Sequence, residues 1–344
     1  MAQRILEVNN LEYSFDTYAG QVQAVRRVTF HVNAGETLAI VGKSGCGKTV
    51  SVQAILKLLP EPPGRMVGGS IRYLGEEISQ YNPKKMSRLR GKEMSIIFQD
   101  PMTSLNPTMR IGKQIIEGIR KHERISRREG RARAVEMLGK VGIPSPERNM
   151  NRYPHQFSGG MRQRVMIAMA LACKPRILFA DEPTTALDVT TQAQILELMH
   201  ELKQELNASV VIITHDLSVV ARVSQRIAVM YAGKIVETGD VRDIFYNPRH
   251  PYTWGLLQSV PHREGDRRQE LTAIPGTPPD LFHPPAGCGF AFRCRYCMGA
   301  CTQAEPPQTD LGNGHLVSCW LLDERAPKTE TPQLAQRKGV REHG

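Results

Sequence analysis

No stretch of this 344-residue sequence approaches the ~20 consecutive apolar residues that an α-helix needs to cross a lipid bilayer. The first residues, Met1-Ala2-Gln3-Arg4, lack the apolar core of a secretory signal peptide. The sequence also has no internal repeat. These absences predict a protein that is made and kept in the cytosol. The length of the chain is enough for one large or two modest domains.

Cysteine is scarce over most of the chain, and five of the seven cysteines lie in one short C-terminal segment. Their spacings are Cys288-x5-Cys294-x2-Cys297-x3-Cys301-x17-Cys319. Crowding of this kind indicates a disulfide framework, a metal site or chance. The predicted reducing compartment argues against structural disulfides.

The formal net charge of +11 is compatible with nucleic acid, anionic lipid or phosphate-binding chemistry. A local run from Arg124 to Arg133 holds five arginines and is typical of a solvated helix face. Charge alone therefore does not select a function.

Strand and helix patterns alternate along the first 260 residues. Alternating apolar side chains over 5–8 and 28–32 predict half-buried strands, and residues 48–59 and 112–142 have helical spacing. The continuous apolar runs that predict buried strands are 37–41, 177–180 and 210–213. Because strands that alternate with helices form parallel sheets covered on both faces, we predict an α/β fold.

Residues 42–49 fit the pattern G-x-x-x-x-G-K-[ST] between a predicted strand and a predicted helix. Glycines let such a backbone wrap phosphates closely, and the helix N-terminus adds N–H donors. We predict that Lys48 reaches the β- and γ-phosphates of ATP and that the Thr49 hydroxyl binds Mg²⁺. The predicted ATP-binding residues of the loop are Gly42, Lys43, Ser44, Gly45, Cys46, Gly47, Lys48 and Thr49. We interpret Cys46 as a small filler.

An acidic pair, Asp181-Glu182, directly follows the buried run 177–180. This position predicts that Asp181 joins the Mg²⁺ shell and that Glu182 orients or deprotonates the attacking water.

Ser158, Gly159, Gly160 and Met161, in the text FSGGMRQR, resemble the signature motif of ABC-transporter ATPases. The resemblance covers about residues 4–260 and includes further motifs in the family's order. These are an adenine-stacking Phe15, a Q-loop glutamine Gln99 in IIFQDP, a D-loop at Ala186-Leu187-Asp188 and a switch histidine His215 in IITHD.

The resemblance implies a RecA-like P-loop NTPase core with an N-terminal antiparallel β subdomain and a helical signature subdomain. It implies catalytic roles for Glu182, His215 and Gln99, with Gln99 also near Mg²⁺. Ser158, Gly159 and Gly160 would then serve the ATP held by an opposite subunit, so one chain supplies half of each site.

Longer stretches resemble the peptide/nickel importer family, and within it the D-type subunit of dipeptide and oligopeptide importers. They are FQDPMTSLNPT, YPHQFSGGMRQR, DEPTTALDVT and HPYTWGLL. Met161 in place of the more general glutamine is typical of the D-type chain. The resemblance implies a heterodimer with an F-type ATPase subunit, two transmembrane permease subunits and an extracytoplasmic peptide-binding protein, with the chain peripheral at the cytoplasmic face of the membrane.

Two other functions stay open. A nickel importer would use a very similar ATPase. The other function is that of a soluble ABC ATPase that acts on nucleic acid. The separation of 110 residues between Lys48 and Ser158 is nevertheless that of an ordinary single cassette. We expect no nucleic acid partner.

Members of the resembled family often carry a C-terminal cysteine pattern, which in some holds a [4Fe–4S] cluster. The resemblance implies that its ligands here are Cys288, Cys294, Cys301 and Cys319, with Cys297 as an extra. Zn²⁺ stays an alternative because Cys294-x2-Cys297 has the spacing of a zinc knuckle, and unligated thiols stay another.

The domain organisation follows from these motifs. We predict an ABC ATPase domain over 4–260, with its helical subdomain at about 100–165. A proline-rich connector over 261–287, a small Cys-rich module over 288–322 and a disordered polar tail over 323–344 complete the chain.

Overall fold

The computed structural model describes residues 3–185, 187–259 and 274–329. The strands in chain order are β1 Arg4–Thr17, β2 Gly20–Asn33, β3 Thr37–Val41, β4 Gly64–Tyr73, β5 Glu76–Glu77, β6 Met94–Ile97, β7 Ile177–Asp181, β8 Ser209–Thr214, β9 Arg226–Tyr231, β10 Lys234–Asp240, β11 Gln308–Asp310 and β12 Leu316–Ser318.

The α-helices are α1 Lys48–Ile55, α2 Pro83–Leu89, α3 Pro101–Ser104, α4 Ile111–His122, α5 Arg127–Lys140, α6 Pro146–Asn149, α7 Gly159–Leu171, α8 Val189–Leu206, α9 Leu217–Val223, α10 Val241–Tyr246, α11 Pro251–Gln258 and α12 Gly299–Gln303. Short 3₁₀ turns occur at Pro154–Gln156, Ala291–Arg293 and Trp320–Leu322.

The chain forms two compact units. Unit 1 consists of Met1–Arg4, Val32–Thr37 and Gln80–Ile213, and unit 2 consists of Ile5–His31, Leu38–Ser79 and Thr214–Gly344. The predicted domain boundaries follow the motifs and not these units, so they stay a prediction.

In unit 1, strands β6, β7 and β8 pair in parallel, in the order β8-β7-β6. Helices α4, α5 and α7 of this unit pack against one another through apolar side chains such as Ile115, Leu138 and Val165. The helices α7 and α8 precede β7 and β8, as the sequence predicted. The arginine run lies largely on the exposed face of α5 and the turn before it, which confirms the solvated helix face.

Unit 2 contains an antiparallel sheet in the order β2-β1-β4-β5. Along β2, Val28 and Phe30 are buried while Thr29 between them is exposed, which confirms the predicted half-buried strand. The predicted antiparallel β subdomain is therefore present. A further set of strands in this unit follows the order β11-β12-β10-β9-β3, with β3 parallel to β9 and the other neighbours antiparallel.

Helix α1 is shorter than the sequence predicted, since it ends at Ile55 and not at Leu59. Lys57 adopts a left-handed conformation with φ 49, and the Leu58 N–H donates to the Gln53 carbonyl at 2.9 Å. A left-handed cap of this kind closes the helix before Pro60 is reached. The stop therefore comes from the cap, and the prediction that placed it at the proline was wrong.

Across the described ranges, no helix is both long and apolar enough to span a bilayer. Residues 274–287, the described part of the predicted connector, contain neither helix nor strand. The rest of the connector and most of the predicted disordered tail lie outside the described residues.

Candidate nucleotide-binding site

The loop 42–49 follows β3, whose five residues are all buried. A Cβ at Gly42 would lie 2.2 Å from the Met230 carbonyl oxygen, and one at Gly47 would lie 2.4 Å from the Ala24 carbonyl oxygen. Gly47 also has φ 101 and directly precedes α1. Only glycine permits these backbone approaches, which explains the glycine pattern of the loop. Beside Gly45 a Cβ would meet nothing within 4 Å, so the loop is open there.

Lys48 is 5% exposed, and its ammonium is held by the loop that is predicted to bind phosphate. Its Nζ donates to the Gly42 carbonyl oxygen at 2.7 Å and to the Lys43 carbonyl oxygen at 3.2 Å. Phosphate oxygens are stronger acceptors for an ammonium than neutral carbonyls are. The side chain is thus pre-positioned inside the loop for an anionic ligand.

Cys46 is buried within the same loop. Burial raises the pKa of its thiol, which keeps it protonated at neutral pH although Lys48 acts in the opposite direction. A protonated buried thiol is a poor nucleophile and a poor redox group. This environment agrees with the interpretation of Cys46 as a filler.

Phe15 and His215 also belong to unit 2. The Phe15 ring is half-buried and meets the Tyr13 ring edge-on at 5.4 Å between centroids. His215 directly follows β8, and its side chain is exposed. The adenine-stacking role of Phe15 and the switch role of His215 stay predictions.

In unit 1, the acidic pair stands at the end of β7. Asp181 is 2% exposed, and Glu182 follows it with a left-handed φ of 44. The Glu182 N–H donates to the Ile213 carbonyl oxygen at 2.9 Å, which ties this turn to β8. A non-glycine residue in this conformation is strained, and such strain is frequent at active sites.

The predicted Q-loop glutamine contacts the predicted catalytic glutamate. Gln99 Nε2 donates to Glu182 Oε2 at 3.0 Å, and the Thr185 hydroxyl donates to the same oxygen at 3.0 Å. The structure therefore brings together two of the three residues predicted as catalytic, although 83 positions separate them. Thr185 is a further residue of this candidate site that the sequence analysis did not identify. The signal that could have found it is its position three residues after Glu182 in the stretch DEPTTALDVT.

The signature residues lie at the start of α7, where the Ser158 hydroxyl accepts the Met161 N–H at 3.3 Å. A Cβ at Gly160 would come within 2.9 Å of Thr191 Cγ2, whereas one at Gly159 would meet nothing within 4 Å. Asp188 caps α8 by accepting the Thr191 N–H at 3.0 Å. Thr191 therefore joins the signature segment to the described part of the D-loop. Ala186, the first D-loop residue, lies outside the described residues.

The C-terminal cysteines gather in unit 2, and all seven cysteines of the chain are free thiols. The Cys288 N–H donates to the Cys301 carbonyl oxygen at 2.8 Å, and a Cβ at Gly287 would lie 2.2 Å from that same oxygen. Cys297 is exposed, and its interpretation as an extra cysteine stays a prediction.

The four predicted ligand cysteines share one electrostatic environment. Burial raises the pKa of Cys319 to about 12, with further increases from Cys288, Cys294 and Cys301. Burial likewise raises the pKa of Cys294 to about 11, helped by Cys288 and Cys301. Even so, within the described ranges no three His, Cys, Asp or Glu side chains are arranged as metal ligands. A metal centre is therefore not established by the fold.

Tyr252 is a functional candidate that sequence reasoning missed, although it stands in the quoted text HPYTWGLL. Its side chain is fully buried, and its hydroxyl accepts the Lys43 N–H of the phosphate loop at 3.0 Å. These residues lie 209 positions apart, so no local pattern could have paired them.

Comparison with known families gives two matches along the chain. Residues 25–185 match the model of the ABC transporter family. Residues 236–301 match the model of the oligopeptide/dipeptide transporter C-terminal region. The second match includes Tyr252 and four of the five clustered cysteines.

Relatives of known name resemble the chain over almost its whole length. The oligopeptide transport ATP-binding protein OppD of Bacillus subtilis (strain 168) is 58% identical over 97% of this chain and 94% of its own. The dipeptide transport ATP-binding protein DppD of the same organism is 53% identical over 94% of this chain and 96% of its own. OppD of Salmonella typhimurium is 49% identical over 93% of this chain and 94% of its own.

One solved structure is similar to this chain at 28% sequence identity. It is that of the ATP-binding cassette MJ0796, a dimer in a post-hydrolysis state bound to ADP and Pi. It superimposes with a TM-score of 0.62 over 69% of this chain and 99% of its own. The cassette fold of a P-loop NTPase is thereby established for this chain. The phosphate loop, the Gln99–Glu182 pair and these similarities together show that the protein is an ABC-type ATPase and belongs to the family of oligopeptide and dipeptide transport ATP-binding proteins.

Proposed function

We propose that this chain is the ATP-hydrolysing subunit that powers the uptake of di- and oligopeptides by an ABC importer. The observation that carries the peptide assignment is the match of residues 236–301 to the C-terminal region of oligopeptide/dipeptide transporters. The names of the relatives support the same assignment. In this proposal the chain sits at the cytoplasmic face of the membrane beside two permease subunits, which receive peptide from an extracytoplasmic binding protein.

Glu182 acts as the residue that orients or deprotonates the attacking water. Two donors, Gln99 Nε2 and the Thr185 hydroxyl, hold Oε2 of its carboxylate. A carboxylate with a fixed orientation needs little reorganisation when water and the γ-phosphate are in place. The strained φ of 44 at Glu182 is a backbone conformation of the kind that clusters at active sites.

ATP phosphates fit the loop 42–49, because the glycine backbone leaves open space beside Gly45 and Lys48 offers a buried ammonium. The residues that would hold Mg²⁺ are Thr49, Gln99 and Asp181, a hydroxyl, an amide and a carboxylate of the oxygen type that Mg²⁺ prefers. Mg²⁺ would neutralise charge on the phosphates. Phe15 stacks on adenine and His215 approaches the γ-phosphate in this proposal.

The Q-loop would pass the state of the nucleotide to the permease subunits. Gln99 contacts Glu182 directly, and two large apolar side chains near it are exposed, Phe98 by 37% and Met102 by 62%. Exposed apolar side chains on a catalytic loop suit a docking surface for another subunit. We take residues of about 100–165 as the helical signature subdomain that carries this loop.

The signature segment Ser158-Gly159-Gly160 would complete the ATP site of a second ATPase subunit, an F-type chain in a heterodimer. Ser158 and Gly159 are exposed at the N-terminal end of α7, where backbone N–H groups and the helix dipole attract phosphate. Closure of the heterodimer on two ATP molecules would drive the transport cycle, and hydrolysis would reopen it.

The test is the variant Glu182→Gln in the transporter assembled with its partner subunits. We expect MgATP binding and assembly to be retained, while ATP hydrolysis falls by roughly 100-fold or more and peptide uptake into vesicles stops. Glu197→Gln, the same change at an exposed position of α8, is the control. Normal turnover by Glu182→Gln would refute the role given to this glutamate. Uptake of nickel in place of peptide by the wild-type assembly would refute the substrate.

We further propose that Cys288, Cys294, Cys301 and Cys319 hold a [4Fe–4S] cluster in the Cys-rich module 288–322, with Zn²⁺ as the alternative. The fit rests on sulfur hydrogen bonds that suit bound thiolates. The Met298 N–H donates to Cys301 Sγ at 3.5 Å, and backbone groups of Phe290, Tyr296 and Leu321 hydrogen-bond the other three sulfurs. A bound cluster would cross-link the segments that carry these cysteines.

Metal analysis of protein purified without oxygen decides between the [4Fe–4S] cluster and Zn²⁺. We expect a brown protein with about four irons per chain, retained in Cys297→Ser and lost in Cys301→Ser. Colourless protein with stoichiometric zinc would overturn the cluster.

A further inference from the structure

One peptide unit of the phosphate loop connects Tyr252 with Lys48. The N–H of the Gly42–Lys43 peptide donates to the Tyr252 hydroxyl at 3.0 Å, and the carbonyl of the same peptide accepts from Lys48 Nζ at 2.7 Å. A peptide unit is planar and its N–H and C=O point in opposite directions. The position of the tyrosine hydroxyl therefore fixes the carbonyl that holds the lysine ammonium.

Tyr252 is itself fixed at the first turn of α11. The His250 side chain caps this helix, with Nδ1 accepting the Tyr252 N–H at 3.0 Å, and Pro251 occupies the first helical position. Burial lowers the pKa of His250 to about 4, so the ring is neutral and Nδ1 can accept. The buried Glu237 carboxylate accepts the N–H groups of Arg249 and His250 at 2.7 and 3.1 Å. The start of α11 is thereby attached to β10.

Aromatic rings hold the other side of Tyr252. The Tyr231 ring lies 4.5 Å from it and the Phe290 ring 5.4 Å, and these two rings are 5.2 Å apart. Phe290 lies between Cys288 and Cys294 in the sequence. Arg293 of the same segment donates to the Tyr231 hydroxyl at 3.1 Å. The segment 288–294 is therefore in direct contact with the residues that position the phosphate loop.

We propose that Tyr252 is a positioning residue of the phosphate loop, and that the Cys-rich module, through Phe290, keeps Tyr252 in place and so sets the affinity of the loop for ATP. The proposal rests on the proposed function, because it takes the loop 42–49 as the binding site for ATP phosphates. It gives a role in nucleotide binding to the His250-Pro251-Tyr252 sequence and to a module outside the cassette motifs.

Loss of the Tyr252 hydroxyl leaves the part-buried Lys43 N–H without this acceptor. The peptide unit can then turn toward another acceptor and carry its carbonyl away from Lys48. Because Lys48 contacts phosphates in the bound ground state and during hydrolysis alike, we expect weaker binding at an almost unchanged maximal rate. A defect of folding alone would lower the fraction of active protein, and hence the maximal rate, without changing the KM for ATP.

The experiment compares Tyr252→Phe with Tyr231→Phe in the full-length chain. Both variants delete one hydroxyl from the same aromatic cluster, but only the first hydroxyl contacts the phosphate loop. We expect the Kd for MgATP and MgADP, measured by calorimetry, to rise roughly tenfold for Tyr252→Phe and less than about twofold for Tyr231→Phe. Hydrogen exchange of the Lys43 amide should accelerate only in Tyr252→Phe. Equal Kd values for Tyr252→Phe and the wild type would overturn the proposal.

A second pair of variants tests the module and does not alter Tyr252. Phe290→Leu removes the ring that packs on Tyr252, whereas Phe292→Leu makes the same change at a side chain that is 81% exposed. We expect the Kd for MgATP to rise at least about threefold in the first and to stay unchanged in the second. Equal Kd values for the pair would refute the role of the module. Failure of the wild-type chain to bind MgATP would instead refute the proposed function on which this inference rests.

Discussion

Glu237→Gln replaces a buried carboxylate by an amide of the same shape, at the point where α11 is attached to β10. The Glu237 side chain is 0% exposed. Its Oε1 contacts the Arg249 N–H at 2.7 Å and His315 Nε2 at 2.9 Å, and its Oε2 accepts the His250 N–H at 3.1 Å. Three polar groups from two segments therefore converge on one charge.

Glutamine has only one side-chain oxygen, so either of its orientations turns an NH₂ group toward at least one of these N–H groups. A buried donor left without an acceptor costs about 1–3 kcal/mol, and a hydrogen bond to a charged acceptor is worth about 1.5–3 kcal/mol. We therefore expect the free energy of unfolding to fall by about 2–4 kcal/mol. For a chain of this size the Tm should fall by about 3–6 °C.

The assay is thermal unfolding of the full-length chain followed by circular dichroism. Glu136→Gln is the matched control, because Glu136 pairs with Lys140 but its side chain is 56% exposed. An ion pair at such a position contributes at most about 1 kcal/mol. If Glu237→Gln lowers the Tm no more than Glu136→Gln does, the buried carboxylate does not anchor α11 and the account of how Tyr252 is held is wrong.

Two further predictions concern unit 1. Gly160→Ala should lower the Tm of the full-length chain, because its Cβ would lie 2.9 Å from Thr191 Cγ2, whereas a Cβ at Gly159 would meet nothing within 4 Å and Gly159→Ala should leave the Tm unchanged. Thr191→Ser, which lacks that methyl group, should restore the Tm of Gly160→Ala, and an absence of rescue would contradict the clash. The hydrogen bonds from the Thr191 N–H and hydroxyl lower the pKa of Asp188. Ionised Asp188 therefore stabilises the folded state fully above the unfolded-state pKa of about 3.9, and this contribution is lost as the pH falls through the lower folded-state pKa. Asp188→Asn should therefore lose less stability than the wild type between about pH 4 and pH 2 in thermal unfolding, and an unchanged acid slope would count against this cap.

Several parts of the fold were predictable because their cause is local. The run of β3, apolar from Leu38 to Val41 and followed by glycines, predicted both a buried strand and a phosphate loop, and the structure has Thr37–Val41 buried with Gly42 against the Met230 carbonyl. The parallel pairing of β7 and β8 followed from the alternation of strands and helices. The end of α1 was predicted wrongly, because a left-handed cap at Lys57 leaves no sequence signal when the residue is a lysine.

The sequence by itself determined which chemistry the chain carries, since the loop 42–49, the pair Asp181-Glu182 and the signature at Ser158 are contiguous motifs with local geometry. Only the tertiary structure decided which residues distant in the sequence contact these motifs. The contact of Gln99 with Glu182 spans 83 positions and that of Tyr252 with Lys43 spans 209. Such contacts depend on how buried strands and rings pack, and packing is a property of the whole fold that residue spacing does not encode.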